Sequence, residues 1–216
     1  DALPEPARAP VKIGLAVPFA VSDHFVRGGE REAVLAHYLT LTPYGNRVRG
    51  NQKVVVENEH GEKVEYLIPR GKHIQVAYPV EWFKVFTRGK GLELIRNYDA
   101  LLHHHYTFMG LVKYQKVPRN RILARVNFNY YMFRDGDGVA YLGNKGTMRM
   151  VADPAVVITG DPCWGFSHET GHVLQMQPQM TWGGMTEVSC NIFSMFTVTG
   201  LGNPSRLKEQ KNYASA

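Results

Sequence analysis

Residues 168–172 read His168-Glu169-Thr170-Gly171-His172. Four residues of α-helix rise about 6 Å and turn about 400°, so the imidazoles at 168 and 172 share one face and can share one ion. Glu169 is turned about 100° from His168, near enough to reach a water on that ion without displacing an imidazole. At residue frequencies of about one in twenty, such a match arises by chance in roughly 2 of 100 chains of this length, so the motif needs its surroundings. Its apolar neighbours Trp164, Phe166, Val173 and Leu174 predict a partly buried helix rather than a solvated surface one. Gly171 costs about 1 kcal/mol relative to alanine inside a helix, which makes sense where another backbone approaches closely; a plain packing glycine is the other reading.

A catalytic zinc takes three protein ligands, with imidazole nitrogens at about 2.0–2.1 Å, and keeps a fourth position open, so a third ligand is required. Glu187 lies fifteen residues beyond His172, across the turn-forming Gln177-Pro178 and Trp182-Gly183-Gly184. A helical pattern starts near Thr186 and runs through Val188, Ile192, Met195 and Phe196 to the breakers Gly200 and Gly202. A returning helix can therefore present Glu187 as the third ligand. The competing HExxHxxGxxH arrangement needs Gly at 175 and His at 178, where this chain has Gln175 and Pro178. Asn191, one turn beyond Glu187, is spaced to hydrogen-bond a ligand or the substrate backbone, with a helix-surface amide as the alternative.

Upstream, Lys53 to Ile68 alternates around His60-Gly61 and reads as a β-hairpin. His73 to Tyr78 reads as extended before Pro79, and Leu92 to Met109 carries helical spacing at Leu94, Ile95, Tyr98, Leu101 and Leu102. Ile122 to Phe133 favours strand, Asp135-Gly136-Asp137-Gly138 a tight turn, and a strand-rich region is expected to run on to Ile158. Thr147 to Val151 alternates and is expected to be a strand, either an edge that pairs with extended substrate or an internal one. The motif helix is expected from about Trp164, after Asp161-Pro162. His103-His104-His105 reads as a wet helix face rather than a second metal site, because adjacent helical residues point in different directions. Cys163 and Cys190 read as two separate buried thiols, with a single bridge bracing the site as the alternative.

The composition is that of a folded globular protein: 216 residues, 44% hydrophobic, 20% charged. No run of 18 apolar residues supports a membrane span. The net charge of +6 suits acidic partners such as sulfated or sialylated glycans, although solubility alone accounts for it. Nucleic acid is disfavoured, since there is no Lys/Arg block of five, no zinc knuckle and no Gly-rich phosphate loop. The first residue is Asp1, followed by the Pro- and Ala-rich Ala2 to Pro10, which suggests a trimmed precursor or an excised piece.

The run from Cys163 to His172, with Gln175, Trp182, Thr186-Glu187-Val188 and Asn191-Ile192-Phe193-Ser194, resembles the M60 (enhancin-like) metallopeptidase family. The region from Arg125 to Met150 is similar to the strands that precede that family's zinc helix, and the similarity extends back to about residue 70. The resemblance implies an α+β, zincin-like fold of gluzincin type. A twisted sheet would lie beside the zinc helix, a second helix would return Glu187, and a cleft would run between sheet edge and metal. It implies one zinc ion on His168, His172 and Glu187, with Glu169 as the base. Asn191, Trp164 and Trp182 would be outer-shell or substrate-contacting groups. By the same resemblance the substrate is an O-glycosylated, mucin-like protein and the protein is secreted or displayed at a cell surface. Residues 71–216 are expected to form the peptidase domain and residues 1–70 a β-rich N-terminal segment. Only twenty-nine residues follow Glu187, where the family's catalytic domains continue into further helices, so a C-terminally shortened domain is expected. Gluzincins commonly use a Tyr or His beyond the ligands for the oxyanion, and Tyr213 alone remains downstream for that role. A non-catalytic glycoprotein- or glycan-binding module and a zinc hydrolase of non-peptide bonds are the rival readings.

Overall fold

The computed structural model describes residues 52–57, 63–127, 130–175, 181 and 183–209. Two sheets precede the helices that carry the motif. Strand β1 (Gln52–Glu57) pairs antiparallel with β2 (Lys63–Ile68), as the alternation around His60-Gly61 predicts; the turn itself lies outside the described residues. β2 also pairs with the short β4 (Tyr78–Pro79). The second sheet has the order β3-β5-β7-β6, formed by β3 (Ile74–Val76), β5 (Ile122–Asn127), β7 (Gly138–Leu142) and β6 (Met132–Asp135). β3, β5 and β7 run parallel, while β6 is antiparallel to β7 and forms the edge. Asp135 pairs with Gly138, and the two-residue turn between them uses Gly136 at φ 56°, a conformation that glycine adopts without steric cost. The strands of the parallel part are buried almost throughout, as strands covered on both faces are. Arg125 on β5 is buried and satisfied in part by Asp135 at 2.7 Å, which ties the end of β6 to the sheet.

The chain after β4 turns into α1 (Val80–Thr87) and then α2 (Gly91–Phe108). The apolar side of α2 is set by Leu94, Ile95, Tyr98, Leu101, Leu102 and Tyr106, a 3.6-residue periodicity directed at the core. Asp99 on the same helix accepts from the backbone N–H groups of Lys72 at 2.7 Å and His73 at 2.8 Å, which anchors the entry to β3. Tyr78 and Tyr98 both donate to the Val151 carbonyl at 2.6 Å, so two buried hydroxyls find their partner on one backbone oxygen.

The expected strand at Thr147 to Val151 is a helix, and the strand-rich region ends at Leu142. Residues Lys145–Ala152 form α3 and Pro154–Val157 form α4. The Asn144 side chain accepts from the Thr147 N–H at 2.9 Å and caps α3, while Thr147, Met148, Val151 and Ala152 are its buried side. Five alternating residues fit a helical face as well as a strand, and the cap decides between them. Asp153 caps α4 in the same way, with Pro154 at its first position.

Helix α5 (Gly160–Leu174) carries the motif and starts four residues earlier than expected, with Asp161 and Pro162 inside its first turn, where a proline lacks no needed donor. Helix α6 (Thr186–Gly200) occupies the span predicted for it, and a short α7 (Arg206–Glu209) follows. α5 and α6 pack together at Gly171, where a Cβ would stand 3.0 Å from the Cys190 carbonyl oxygen and 3.2 Å from the Phe193 Cβ. This is the close backbone approach that a mid-helix glycine suggested. Among the described residues, no helix is long and apolar enough to cross a membrane.

Candidate metal centre

The i, i+4 spacing on α5 stacks His168 and His172 on one face, with ring centroids 4.8 Å apart and planes at 82°. α6 returns alongside and brings Glu187 from its first turn to the same point. His168 Nε2 and His172 Nε2 are 3.2 Å apart, and each faces Glu187 Oε2, at 3.0 Å and 3.2 Å. Ligands about 2.0–2.1 Å from one tetrahedral centre stand roughly 3.3 Å from one another, so the three atoms are spaced as one zinc ion requires.

The remaining ring nitrogens are engaged on the outside. His168 Nδ1 meets Asn191 Oδ1 at 2.7 Å, and His172 Nδ1 meets Gln175 Oε1 at 3.1 Å. Both partners are acceptors, so Nδ1 of each ring carries the hydrogen and Nε2 turns its lone pair inward, the tautomer that a metal needs. The residues present therefore fit a divalent metal. Cys190 completes a group of four possible ligand atoms within 4.8 Å of one another. Its Sγ lies 3.4 Å from both nitrogens of the His168 ring and donates to the Glu187 carbonyl oxygen at 3.0 Å. That orientation sets the thiol against the ring rather than toward the point where the three ligand atoms meet.

Burial raises the Glu169 carboxyl above its ordinary value, against the opposing pull of His168, His172 and the backbone N–H of Arg134, which donates to it from β6. The nearby Glu187 charge adds to the rise. Burial works the same way on Glu187, but there His172 and His168 prevail and the exposed carboxyl lies below its ordinary value. The two carboxylates of the site are thus pushed in opposite directions, the arrangement expected where one holds a proton and the other a cation.

Asn191 sits on His168. Trp164 lies one turn before His168 on α5, mostly buried, with the Arg206 guanidinium 5.1 Å over its ring. It borders an open groove of about 530 Å³ that also involves Val188, Asn191, Ile192 and Met195. Trp182 and Tyr213 lie outside the described residues. Cys163 and Cys190 are both free and buried, and burial pushes their thiols up to about 11 and about 12, so both stay protonated near neutrality.

The histidine triplet is not a wet face. His103 is exposed, but His104 is half-buried and His105 fully so. His105 Nε2 lies 3.0 Å from the Ser167 carbonyl oxygen and 3.0 Å from Thr170 Oγ1, and its Nδ1 lies 2.8 Å from Thr197 Oγ1. One ring therefore pins α2 to both helices of the site. Neither this contact nor that of Gln175 follows from the motif spacing, although Gln175, three residues after His172, carries the local signal of a shared helix face.

Solved structures of similar fold are metallopeptidases in part. A conserved protein of unknown function from Bacillus anthracis str. Ames superposes with a TM-score of 0.62 at 22% identity, over 69% of this chain and 32% of that one. A metallopeptidase in complex with Tn antigen gives 0.58 at 23%, over 65% and 26%. The catalytic module of the metalloprotease ZmpA from Clostridium perfringens gives 0.54 at 15%, over 68% and 29%. The chain thus spans a third or less of each. A DNA-directed RNA polymerase subunit beta' of Bdellovibrio bacteriovorus is 40% identical over 50 residues, 23% of this chain and 4% of that protein, too short a stretch to bear on function. The structural likenesses speak for the zincin-like fold alone. Membership rests on the family model, which matches residues 57–215, and the chain belongs to the Peptidase M60, enhancin and enhancin-like family.

Proposed function

We propose that this chain carries a zinc-dependent endopeptidase centre acting on O-glycosylated, mucin-like proteins outside the cell. The observation that carries the reading is the meeting of His168 Nε2, His172 Nε2 and Glu187 Oε2 within 3.0–3.2 Å of one another, with the half-buried Glu169 beside them. His168, His172 and Glu187 hold one zinc ion, and Asn191 and Gln175 orient the two rings. Zinc in such a site supplies Lewis-acid polarisation of the scissile carbonyl and acidifies water. Glu169 takes a proton from the attacking water on its carboxylate and delivers it to the departing amine nitrogen. β6 is the sheet edge beside the motif helix, and among the described residues no strand pairs with its outer side. An extended substrate segment adds there, fixing backbone direction before cleavage. This role passes to β6 from Thr147 to Val151, which is helical.

The substrate class is supported by the fold likeness to a metallopeptidase in complex with Tn antigen. The net charge of +6 is compatible with sialylated or sulfated glycans on the same proteins. The test is mass spectrometry of an O-glycosylated protein incubated with the zinc-loaded chain, beside Glu169→Ala and chelator controls. New peptide termini that vanish in both controls are expected. Altered glycan masses with an intact backbone would point to a non-peptide hydrolase, and zinc binding without any cleavage to a binding module.

A further inference from the structure

Gln175 is the residue at which the motif helix ends: its backbone N–H donates to the Gly171 carbonyl at 2.8 Å, and its ψ of 118° turns the chain out of α5. Its side chain is buried, 8% exposed, and does not follow the chain outward. Oε1 meets His172 Nδ1 at 3.1 Å, while Nε2 donates to the Thr186 carbonyl at 2.7 Å and to Ser189 Oγ at 2.9 Å. Three of the amide's four hydrogen-bonding positions are used, and the amide has one orientation: reversed, it would set an oxygen against the Thr186 carbonyl and an N–H against the ring's Nδ1–H. One amide therefore fixes the tautomer of a histidine on one helix and the start of the next helix. Thr186 is the residue immediately before Glu187.

We infer that Gln175 is a positioning residue that couples the two halves of the metal centre, setting the His172 ring and the Glu187 carboxylate in register with each other before a metal arrives. The inference rests on the zinc reading proposed above and adds a specific cause for the 3.2 Å separation between His172 Nε2 and Glu187 Oε2. A loop tie without this role would lower the stability of the fold and leave metal affinity to the ligands alone. The coupling role predicts that the effect of Gln175 on zinc depends on Glu187.

The experiment is chelator-competition measurement of zinc affinity for the unaltered chain, Gln175→Ala, Gln175→Glu, Glu187→Gln and the Gln175→Ala/Glu187→Gln pair, with thermal melting of each metal-free protein. Gln175→Ala is expected to weaken zinc about 10–100-fold, the usual range for outer-shell partners. Gln175→Glu keeps an acceptor for His172 and gives up both amide donors, so its affinity falls between the two. In the Glu187→Gln background the Gln175→Ala loss shrinks, because the carboxylate whose position it controls is gone. Affinity of Gln175→Ala within about threefold of the unaltered chain, or an equal fold-loss in both backgrounds, overturns the inference. Should Gln175→Ala fail to fold, an unchanged affinity in Gln175→Glu overturns it equally. Zinc binding by the unaltered chain no tighter than by His168→Ala would overturn the zinc reading itself, and this inference with it.

Discussion

His105 Nε2 lies 3.0 Å from the carbonyl oxygen of Ser167, the residue directly before His168, while the opposite nitrogen of the same ring reaches Thr197 on α6. A buried neutral imidazole thus joins three helices behind the metal centre. Burial lowers its pKa from 6.5 to about 4. The unfolded chain takes up a proton near 6.5 that the folded one refuses until about 4, so this contribution is fully present above 6.5 and lost as pH falls toward 4. The loss is on the order of 3 kcal/mol across that window. Melting temperature measured against pH should fall over this range, and in His105→Leu that part of the slope should flatten.

Substituting a proposed ligand and substituting the proposed base should separate binding from turnover. His168→Ala, His172→Ala and Glu187→Ala are expected to lose tight zinc binding, read by competition with a chromogenic chelator. Glu169→Gln is expected to keep zinc and to lose about 10²–10⁴-fold in turnover, the usual contribution of a general base.

Because burial holds Glu169 above the ordinary glutamate value of 4.5, its basic form is lost at a higher pH than for an exposed carboxylate. In the metal-free protein the Glu169 carboxyl should therefore titrate above 4.5, read from its side-chain carboxyl NMR shift against pH. A midpoint at or below that value would show that His168, His172 and the Arg134 N–H outweigh burial at this carboxyl.

Asn191 accepts from His168 Nδ1 at 2.7 Å, a bond that Leu cannot replace. Asn191→Leu should weaken zinc about 10–100-fold, and Asn191→Asp, which retains an acceptor, should recover much of the loss. Equal zinc affinity in all three proteins would make Asn191 a bystander.

Gly171→Ala sets two effects against each other. Helix propensity gains about 1 kcal/mol, but the new Cβ stands 3.0 Å from the Cys190 carbonyl, and overpacking of this kind costs about 1–3 kcal/mol. Because the obstacle is backbone, a net loss of stability is expected in urea unfolding, with the unfolding slope unchanged.

What the sequence determined by itself was whatever depends on short spacing. The pair His168 and His172 is legible because four residues of helix place them on one face whatever surrounds them. The span of α2 follows from its apolar period, and that of α6 from its period and the closing glycines. The hairpin of β1 and β2 follows from alternation about a turn. The expected helical return of Glu187 likewise needed only a breaker and a second period. Tertiary structure decided the rest, because it depends on what lies opposite. Thr147 to Val151 satisfies either period, and the Asn144 cap with the core beneath it selected helix. His105 looks like one of three solvated histidines until α5 and α6 close over it, 62 and 92 residues away in sequence. The contact of Cys190 with the His168 ring, the backbone N–H of Arg134 on Glu169 and the bridge from Gln175 to Thr186 arise where separate elements meet. No period within one element encodes them, because a hydrogen bond across an interface is set by the position of both its sides.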